Sequence, residues 1–363
     1  VGMTRAHMAD PHIVQKITQG READIRPCVG ATYCLDRIYQ GGEALCIHNP
    51  STGRERELPH HIPKAKTAKT VVVVGAGPGG LEAARVAAER GHHVHLIEAA
   101  PQAGGQVRLL TQSAHRREMI SIIDWRLDQC TKLGVSMQFN TWADADTVLS
   151  YAPDVVIVAT GGLPKMSLLE RHDDLDHVVN SWDVLSGDVK LSGKVLIYDE
   201  AGDHAAQQAA QLALDSGCQV DLITPDRTLS ADIMAMNLVP YLRSTQHKPI
   251  QHILAQRLLQ IEPQGRQLRV TLGTDYSNHQ RTADYDHIVF NAGTVPLAEL
   301  YFDLKPLSRN GGEVDYDALI TGNPQTLIKH PNSSFQLFRI GDAVSSRNIH
   351  AAVYDAMRLG VTL

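Results

Sequence analysis

The sequence predicts an α/β fold that contains two similar dinucleotide-binding units. Residues 71–80 read VVVVGAGPGG, and a helix and a second strand follow as far as Glu98. Residues 193–224 repeat this order of strand, turn, Ala-rich helix and strand. Four consecutive valines are typical of a parallel strand that is covered on both faces. We therefore expect two Rossmann-like βαβ units, related by an internal duplication.

The first turn has the spacing of a dinucleotide-binding site. Gly75, Gly77 and Gly80 form a GxGxxG motif directly after the strand. Gly75 allows the tight turn, Gly77 lets a pyrophosphate approach the backbone, and Gly80 lets the helix pack closely on the strand. Glu98 ends the second strand, where a carboxylate can accept hydrogen bonds from ribose hydroxyls and disfavours a 2′-phosphate.

The second turn has lost its glycines. Alignment of the two strands places Asp199, Ala201 and His204 at the three glycine positions. Asp199 and its neighbours Glu200 and Asp203 crowd the turn with negative charge, which repels a pyrophosphate. We expect this unit to be kept for architecture or for electron-transfer geometry, and not for ordinary NAD(P)H binding.

Composition excludes several classes of protein. The chain has 363 residues, of which 43% are hydrophobic, and this is enough for two domains with their own cores. A net charge of −6 gives no general basic surface for nucleic acid. No apolar run reaches the roughly 18 residues that a membrane helix needs, and the five cysteines are not typical of a secreted disulfide scaffold. We expect a cytoplasmic protein that neither binds nucleic acid nor enters a membrane.

Three cysteines lie close together near the start of the chain: Cys28, Cys34 and Cys46. Their soft thiolates suit an iron–sulfur cluster. Three other interpretations are open. A zinc site with His48 as fourth ligand is chemically allowed, but the spacing fits none of the common zinc motifs. A disulfide is disfavoured in the cytoplasm, and the cysteines could also be ordinary small buried residues.

Further stretches complete a resemblance to a known family. They are GMTRAHMADP (2–11), PQAGGQVRLL (101–110), PDVVIVATGG (153–162) and FRIGDAVSSRNIHAAVYDAMRLG (338–360). With the two βαβ units, they resemble the C-terminal half of the trimethylamine dehydrogenase / 2,4-dienoyl-CoA reductase flavoproteins. Three stretches look closest to bacterial demethylases of the dimethylglycine and N-methylproline type: RPCVGATYCLDRIYQGGEALCIHNP (26–50), REMISIIDW (117–125) and AMNLVPYLRS (235–244).

The resemblance implies a domain organisation with a disulfide-reductase-like core. Residues 1–24 would be the last strand and helix of an otherwise missing (β/α)8 barrel, and residues 25–62 an iron–sulfur segment. Residues 63–185 and 306–363 would form an FAD-binding domain, which is interrupted by a NAD-domain-like insert at 186–305.

The resemblance also implies site residues. Those expected to bind FAD, or ADP in its place, are Gly75, Gly77, Pro78, Gly79, Gly80, Glu98, Ala99, Gly105, Gln106, Arg116, Gly341 and Asp342. Arg5 and Ala6 match positions that hold an FMN phosphate, and FMN is expected only in the intact enzyme.

The family's cluster motif has four cysteines. Cys28, Cys34 and Cys46 fall on three of these positions, and Ala31 occupies the remaining one. A 4Fe–4S cluster would then need water, Asp36 or His48 at its fourth iron.

The implied function is oxidative demethylation of an N-methylated amino acid or amine. Electrons would pass from FMN through an iron–sulfur site to FAD, and then to an electron-transfer flavoprotein or a similar acceptor. The intact enzyme would be a homo-oligomer, and this chain would hold no catalytic residue. One alternative is part of an NAD(P)H-dependent enoyl reductase, and another is a non-catalytic ADP- or FAD-binding assembly domain.

Overall fold

The computed structural model of the protein describes residues 2–165, 175 and 177–363. The chain forms two compact units. The first comprises Val1–Arg108, Glu118–Leu163 and Val295–Leu363, and the second comprises Leu109–Arg117 and Pro164–Thr294.

The secondary structure alternates between helices and strands for most of the chain. The helices are α1 (Thr4–Ala9), α2 (Ile13–Thr18), α3 (Tyr33–Tyr39), α4 (Pro78–Glu89), α5 (Gln106–Leu110), α6 (Ser121–Lys132), α7 (Ala145–Leu149), α8 (Ser181–Ser186), α9 (His204–Asp215), α10 (Ala235–Thr245), α11 (Glu299–Leu304), α12 (Tyr316–Thr321) and α13 (Ile349–Gly360). The strands are β1 (Thr70–Val74), β2 (His93–Ile97), β3 (Ser136–Gln138), β4 (Val155–Val158), β5 (Gly162–Pro164), β6 (Val178–Asn180), β7 (Lys194–Asp199), β8 (Gln219–Ile223), β9 (Ile250–Ile253), β10 (Arg257–Gln264), β11 (Gln267–Thr274), β12 (Ser277–Tyr285), β13 (His287–Asn291), β14 (Thr294–Pro296) and β15 (Gln336–Arg339).

The first unit is built on a five-stranded parallel sheet with the order β15–β4–β1–β2–β3. Residues 71–74 of β1 and all of β4 are buried, as expected for strands with helices on both faces. Helix α4 packs against α6 and α13. Because the strands are parallel, the carboxyl ends of β1, β2, β4 and β15 meet at one edge, which is where open α/β sheets bind ligands.

The second unit repeats this plan with a sheet of order β6–β13–β7–β8–β9, also parallel. An antiparallel sheet of β10, β11 and β12 is added to it. The succession β7–α9–β8 corresponds to β1–α4–β2. The α/β fold with two Rossmann-like units is therefore confirmed.

The unit boundaries differ from those expected from the sequence. The expected insert was 186–305, whereas the second unit runs from 164 to 294 and also takes in 109–117. Strand β6 belongs to the second unit because it pairs with β13. Leu109–Arg117 joins it because Gln208 Nε2 on α9 donates to the Leu110 carbonyl at 2.6 Å.

Residues 2–24 contain the short helices α1 and α2. The sequence TRAHMA, which forms α1, is rich in residues that favour helices. The helix ends at Asp10, which precedes a proline and is extended. The assignment of residues 1–24 to the end of a barrel stays a prediction.

None of the helices formed by the described residues is both long and apolar enough to cross a membrane.

Candidate dinucleotide site and cysteine segment

The turn between β1 and α4 requires glycine at two positions. Gly75 has a φ of +104°, and a Cβ there would lie 2.4 Å from the Ala159 carbonyl oxygen. A Cβ at Gly80 would lie 1.8 Å from the carbonyl oxygen of Gly75. No side chain fits at such distances, so these two glycines bring the helix, the strand and the neighbouring β4 end together.

Gly77 differs, because a Cβ built on it would meet no atom within 4 Å. This residue is the N-cap of the 12-residue helix α4, and no side chain caps the helix there. Pro78 begins the helix, and a Cβ on Gly79 would lie 3.2 Å from the Ala352 carbonyl. Uncapped amides and open space at a helix N-terminus suit a phosphate. The turn therefore fits the pyrophosphate of a dinucleotide.

Glu98 follows β2 and is fixed beside this turn. Its Oε2 accepts a hydrogen bond from the Ala76 backbone N–H at 2.6 Å, and its Oε1 accepts one from the Ala100 N–H at 2.8 Å. Each carboxylate oxygen keeps a further acceptor site, so the group can still accept from ribose hydroxyls. Ala99 lies between these residues and is exposed.

Two loops from later in the chain join the turn. A Cβ on Gly105 would lie 3.5 Å from the Gly77 Cα, so the loop folds over the turn. Gln106 Nε2 donates to Asp342 Oδ2 at 3.2 Å, and the Arg347 backbone N–H donates to Asp342 Oδ1 at 3.1 Å. Burial raises the pKa of Asp342. Gly341 precedes it with a φ of +61°.

These contacts connect three separate segments into one site. The glycine turn, the loop after β2 and the turn after β15 meet at the carboxyl edge of the first sheet. FAD is the cofactor that the order of these segments implies, and the open turn, the fixed carboxylate and the Gln106–Asp342 pair fit it.

Arg116 and the pair Arg5 and Ala6 are placed elsewhere. Arg116 belongs to the second unit, where its Nη2 donates to Asn237 Oδ1 at 2.6 Å and lies 3.2 Å from His204 Nδ1. These contacts do not support its assignment to the adenine nucleotide, which stays a prediction. Arg5 and Ala6 lie on α1, and their assignment to FMN also stays a prediction.

The turn after β7 is closed by its own side chains. Asp199 Oδ1 accepts from the Gly202 N–H at 2.8 Å, and Asp203 Oδ1 accepts from the Ala205 N–H at 2.9 Å at the start of α9. The Asn291 amide donates to both carboxylates, at 2.9 Å each. The amides that a pyrophosphate would use are therefore already taken by carboxylates.

Burial controls the charge of this second turn. It raises the pKa of Asp199 to about 7 and also raises the pKa of Asp203. Asp199 Oδ2 is buried and has no hydrogen-bond partner among the residues that the structure describes. Sequence analysis missed Asn291, although its position at the end of the neighbouring parallel strand β13 could have indicated it.

The three cysteines line one small pocket. Cys28 is exposed, and Cys34 and Cys46 are half-buried. The His48 backbone N–H lies 3.4 Å from Cys46 Sγ and donates to it, and burial raises the pKa of this thiol. Ala31 contributes to the pocket wall as well.

The side chains around this pocket limit which metal ion or cluster it could hold. Among the residues with described positions, no three Cys, His, Asp or Glu side chains are arranged to hold a single metal ion. A zinc site therefore gains no support. Three thiols around one pocket have the chemistry that an iron–sulfur cluster needs. Their number, however, leaves one iron of the cluster without a cysteine ligand.

His48 is the better placed of the two candidate fourth ligands. It lines the cysteine pocket, whereas Asp36 does not. Its Nδ1 lies 3.0 Å from the Pro27 carbonyl, and its Nε2 is buried with no partner in the described parts of the chain. Burial lowers the pKa of His48 well below its ordinary value, so the imidazole is neutral, as a metal ligand must be.

A buried ionic network lies beside this segment, and sequence analysis did not detect it. Glu82 on α4 pairs with Arg85, one turn further along, and with Arg126 on α6, both at 2.8 Å. Arg126 Nη2 also donates to the His48 carbonyl at 2.8 Å. No single motif could reveal this network, because its members come from three separate segments.

Comparison with known proteins identifies the family to which the chain belongs. The family described as pyridine nucleotide-disulphide oxidoreductase matches residues 40–177 and 69–356. The chain is 57% identical over 359 residues to a probable N-methylproline demethylase of Rhizobium meliloti (strain 1021), with 99% of this chain and 53% of that protein covered. It is 41% identical over 370 residues to an N,N-dimethylglycine/sarcosine dehydrogenase of Chromohalobacter salexigens, with the same coverage of each.

Among solved structures, a 6-hydroxypseudooxynicotine amine oxidase from Pseudomonas geniculata N1 matches with a TM-score of 0.84 and 26% identity. That match covers 99% of this chain and 52% of the other. The chain thus spans about half the length of the curated relatives it matches. These similarities confirm the resemblance to demethylating flavoproteins, and the chain belongs to the pyridine nucleotide-disulphide oxidoreductase family.

Proposed function

We propose that this chain is the flavin-binding, electron-transferring portion of an oxidoreductase that demethylates an N-methylated amino acid or amine. The observation that carries the proposal is the contrast between the two turns. The turn after β1 is open at Gly77, whereas the turn after β7 is closed by Asp199 and Asp203. The printed activities of the relatives, N-methylproline demethylation and dimethylglycine/sarcosine dehydrogenation, supply the substrate class.

FAD, when bound, supplies a redox centre that accepts and releases electrons. The N-terminus of α4 and the open space at Gly77 would hold its pyrophosphate, and Glu98 would hold a ribose. The Gln106–Asp342 pair would lie near the flavin end, where the buried carboxyl can hold a proton more readily than an exposed one.

We infer that, in the intact enzyme, electrons from substrate oxidation at FMN reach this chain through the cysteine segment. They would leave from the FAD site to an electron-transfer flavoprotein or a similar acceptor. The intact enzyme would be a homo-oligomer. Within this chain, Cys28, Cys34 and Cys46 would hold the cluster, with His48 as the candidate ligand for the remaining iron.

The main alternative is an NAD(P)H-dependent enoyl reductase, in which a nicotinamide nucleotide docks on the second unit. The turn after β7 opposes it, because Asp199 is buried at the glycine position and Asp203 occupies the helix N-terminus. A phosphate there would have to displace both carboxylates and would be repelled by them.

Cofactor analysis of the purified chain tests the proposal. We expect a yellow protein that releases FAD on denaturation, together with iron and sulfide in samples prepared without oxygen. A colourless protein that carries only ADP would contradict the electron-transfer role and would favour an assembly domain.

A further inference from the structure

A second cavity lies in the first unit, apart from the glycine turn and the cysteine pocket. Its volume is about 400 Å³, within the range of cavities that hold small organic ligands. Its walls come from α2 and the segment after it, from residues 49–51 and 60–62, and from α4 and α6. No residue of the proposed FAD site lines it.

Among the described residues, one arginine in the wall of this cavity forms no ion pair. The other lysine and arginine side chains of the wall each pair with a carboxylate: Lys16 with Asp10, Arg21 with Asp24, and Arg85 with Glu82 and Glu89. The guanidinium of Arg26 lies over the ring of Trp125 at 4.2 Å. Within the described part of the chain, its Nε is buried without a hydrogen-bond partner.

The position of the Arg26 guanidinium costs solvation free energy when no ligand is bound. The guanidinium of an arginine carries its positive charge at every pH that proteins tolerate. The half-buried guanidinium of Arg26 gives up part of its hydration, and the Trp125 ring replaces only part of what is lost. An anion in the cavity would offset this loss.

We propose that this cavity binds a small organic anion whose carboxylate or phosphate group pairs with Arg26. The planar guanidinium offers a fork of N–H donors that matches the oxygens of either group. Trp125 holds the fork in place, since the cation–π contact limits its rotation. The volume leaves room for a carbon skeleton beyond the charged group, which favours an organic anion over a bare inorganic ion.

Calorimetric titration of the chain at low ionic strength tests this site. Succinate and glycerol 3-phosphate are the two probes, and they distinguish a carboxylate site from a phosphate site. We expect saturable binding of at least one of them and a rise in the thermal midpoint when it is present. Arg26→Gln should weaken that binding at least about tenfold, because it removes a charge-assisted hydrogen bond.

Arg21→Gln is the matched control, since Arg21 lines the same cavity but is paired with Asp24 and more than half exposed. It should bind the probe as the wild type does. Gln129→Glu adds a negative charge to the wall one turn after Trp125 and leaves Arg26 in place, so it should also weaken binding.

Absence of saturable binding of both probes to the wild type would overturn the proposal. So would unchanged affinity in Arg26→Gln, or an equal loss in Arg21→Gln. If Arg26→Gln does not fold, unchanged binding by Gln129→Glu decides against the site.

Discussion

Gly77 and Gly80 lie three residues apart in one turn, yet their surroundings differ. A methyl group at Gly80 would meet the backbone of Gly75, whereas a methyl group at Gly77 would enter open space. Gly77 has an ordinary φ of −70°, so alanine fits its backbone. Gly80 is therefore required by the fold of the chain itself, whereas Gly77 leaves the space that the proposed ligand would need.

This difference predicts opposite results for two alanine variants. Gly80→Ala should lower the free energy of unfolding by about 1–3 kcal/mol, because α4 must move away from the strand. Gly77→Ala should change it by less than about 0.5 kcal/mol, but the bound FAD should fall by at least tenfold, since the methyl group takes the space of the pyrophosphate. Urea denaturation and flavin absorbance measure the two effects. A Gly77→Ala chain that retains its full FAD content would contradict the proposed site.

Asp199 makes the stability of the second unit depend on pH. Its pKa is about 7 in the folded chain, against an ordinary value of 3.8. Between these values the folded state holds a proton that the unfolded chain has released. The free energy of unfolding should therefore fall as the pH rises from about 4 to about 7, by on the order of 4 kcal/mol, and stay level above that.

Asp199→Asn should abolish this fall, because an amide stays neutral at every pH, and the variant should be more stable than the wild type at pH 8. Urea denaturation at a series of pH values measures the change. Asp215→Asn is the control, since Asp215 is exposed and its ion pair with Lys248 is on the surface. If the unfolding free energy of Asp199→Asn falls with pH as steeply as that of the control, another group causes the pH dependence.

At the scale of elements, Glu82 joins α4 to α6 through its pairs with Arg85 and Arg126. The side chains of Glu82 and Arg126 are both fully buried. Burial opposes the charge of Glu82, but the two arginines outweigh it and hold the pKa of this carboxyl well below its ordinary value. Its contribution to stability is therefore present above pH 4.5 and is lost as the pH falls below that value.

Glu82→Gln should destabilise the chain by about 3–5 kcal/mol, because it leaves two buried guanidinium groups without their shared anion. Glu89→Gln also removes a partner of Arg85, but Glu89 is one-third exposed and its loss should cost less than about 1 kcal/mol. The comparison uses thermal or urea denaturation at neutral pH. Equal losses of unfolding free energy in the two variants would show that the buried Glu82 stabilises the chain no more than the partly exposed Glu89 does.

The cysteine segment between residues 25 and 62 offers an element-scale test of the cluster. Ala31 lines the pocket of Cys28, Cys34 and Cys46 and is the one member of the expected motif without sulfur. Ala31→Cys should raise the iron bound after reconstitution and slow its loss to a chelator, since a fourth thiolate completes the ligand set. Ala44→Cys adds a thiol to the same segment outside the pocket and should not do so. Iron that is equally labile in all three chains would argue against a cluster here.

The elements most reliably predicted from the sequence were those set by local patterns. Buried valines and the spacing of Gly75, Gly77 and Gly80 identified β1, the turn and α4, because strand burial and backbone sterics act over a few residues. The contacts of Arg116 and Arg26 could not be predicted, because their partners come from distant segments.

At the scale of the whole molecule, two βαβ units of common design have diverged in their turns. One presents open amides to a dinucleotide, and the other fills the equivalent position with Asp199, Asp203 and the Asn291 amide. This contrast is the basis for the proposed direction of electron flow: if no pyridine nucleotide docks on the second unit, electrons must reach this chain from another source.

The measurement that tests this account most directly is the anaerobic addition of NADH to the FAD-loaded chain, with the visible flavin band as readout and dithionite as the positive control. We predict that dithionite bleaches the band and that NADH leaves it unchanged over the same time. Rapid bleaching by NADH would show that the second unit accepts a pyridine nucleotide and would contradict the account.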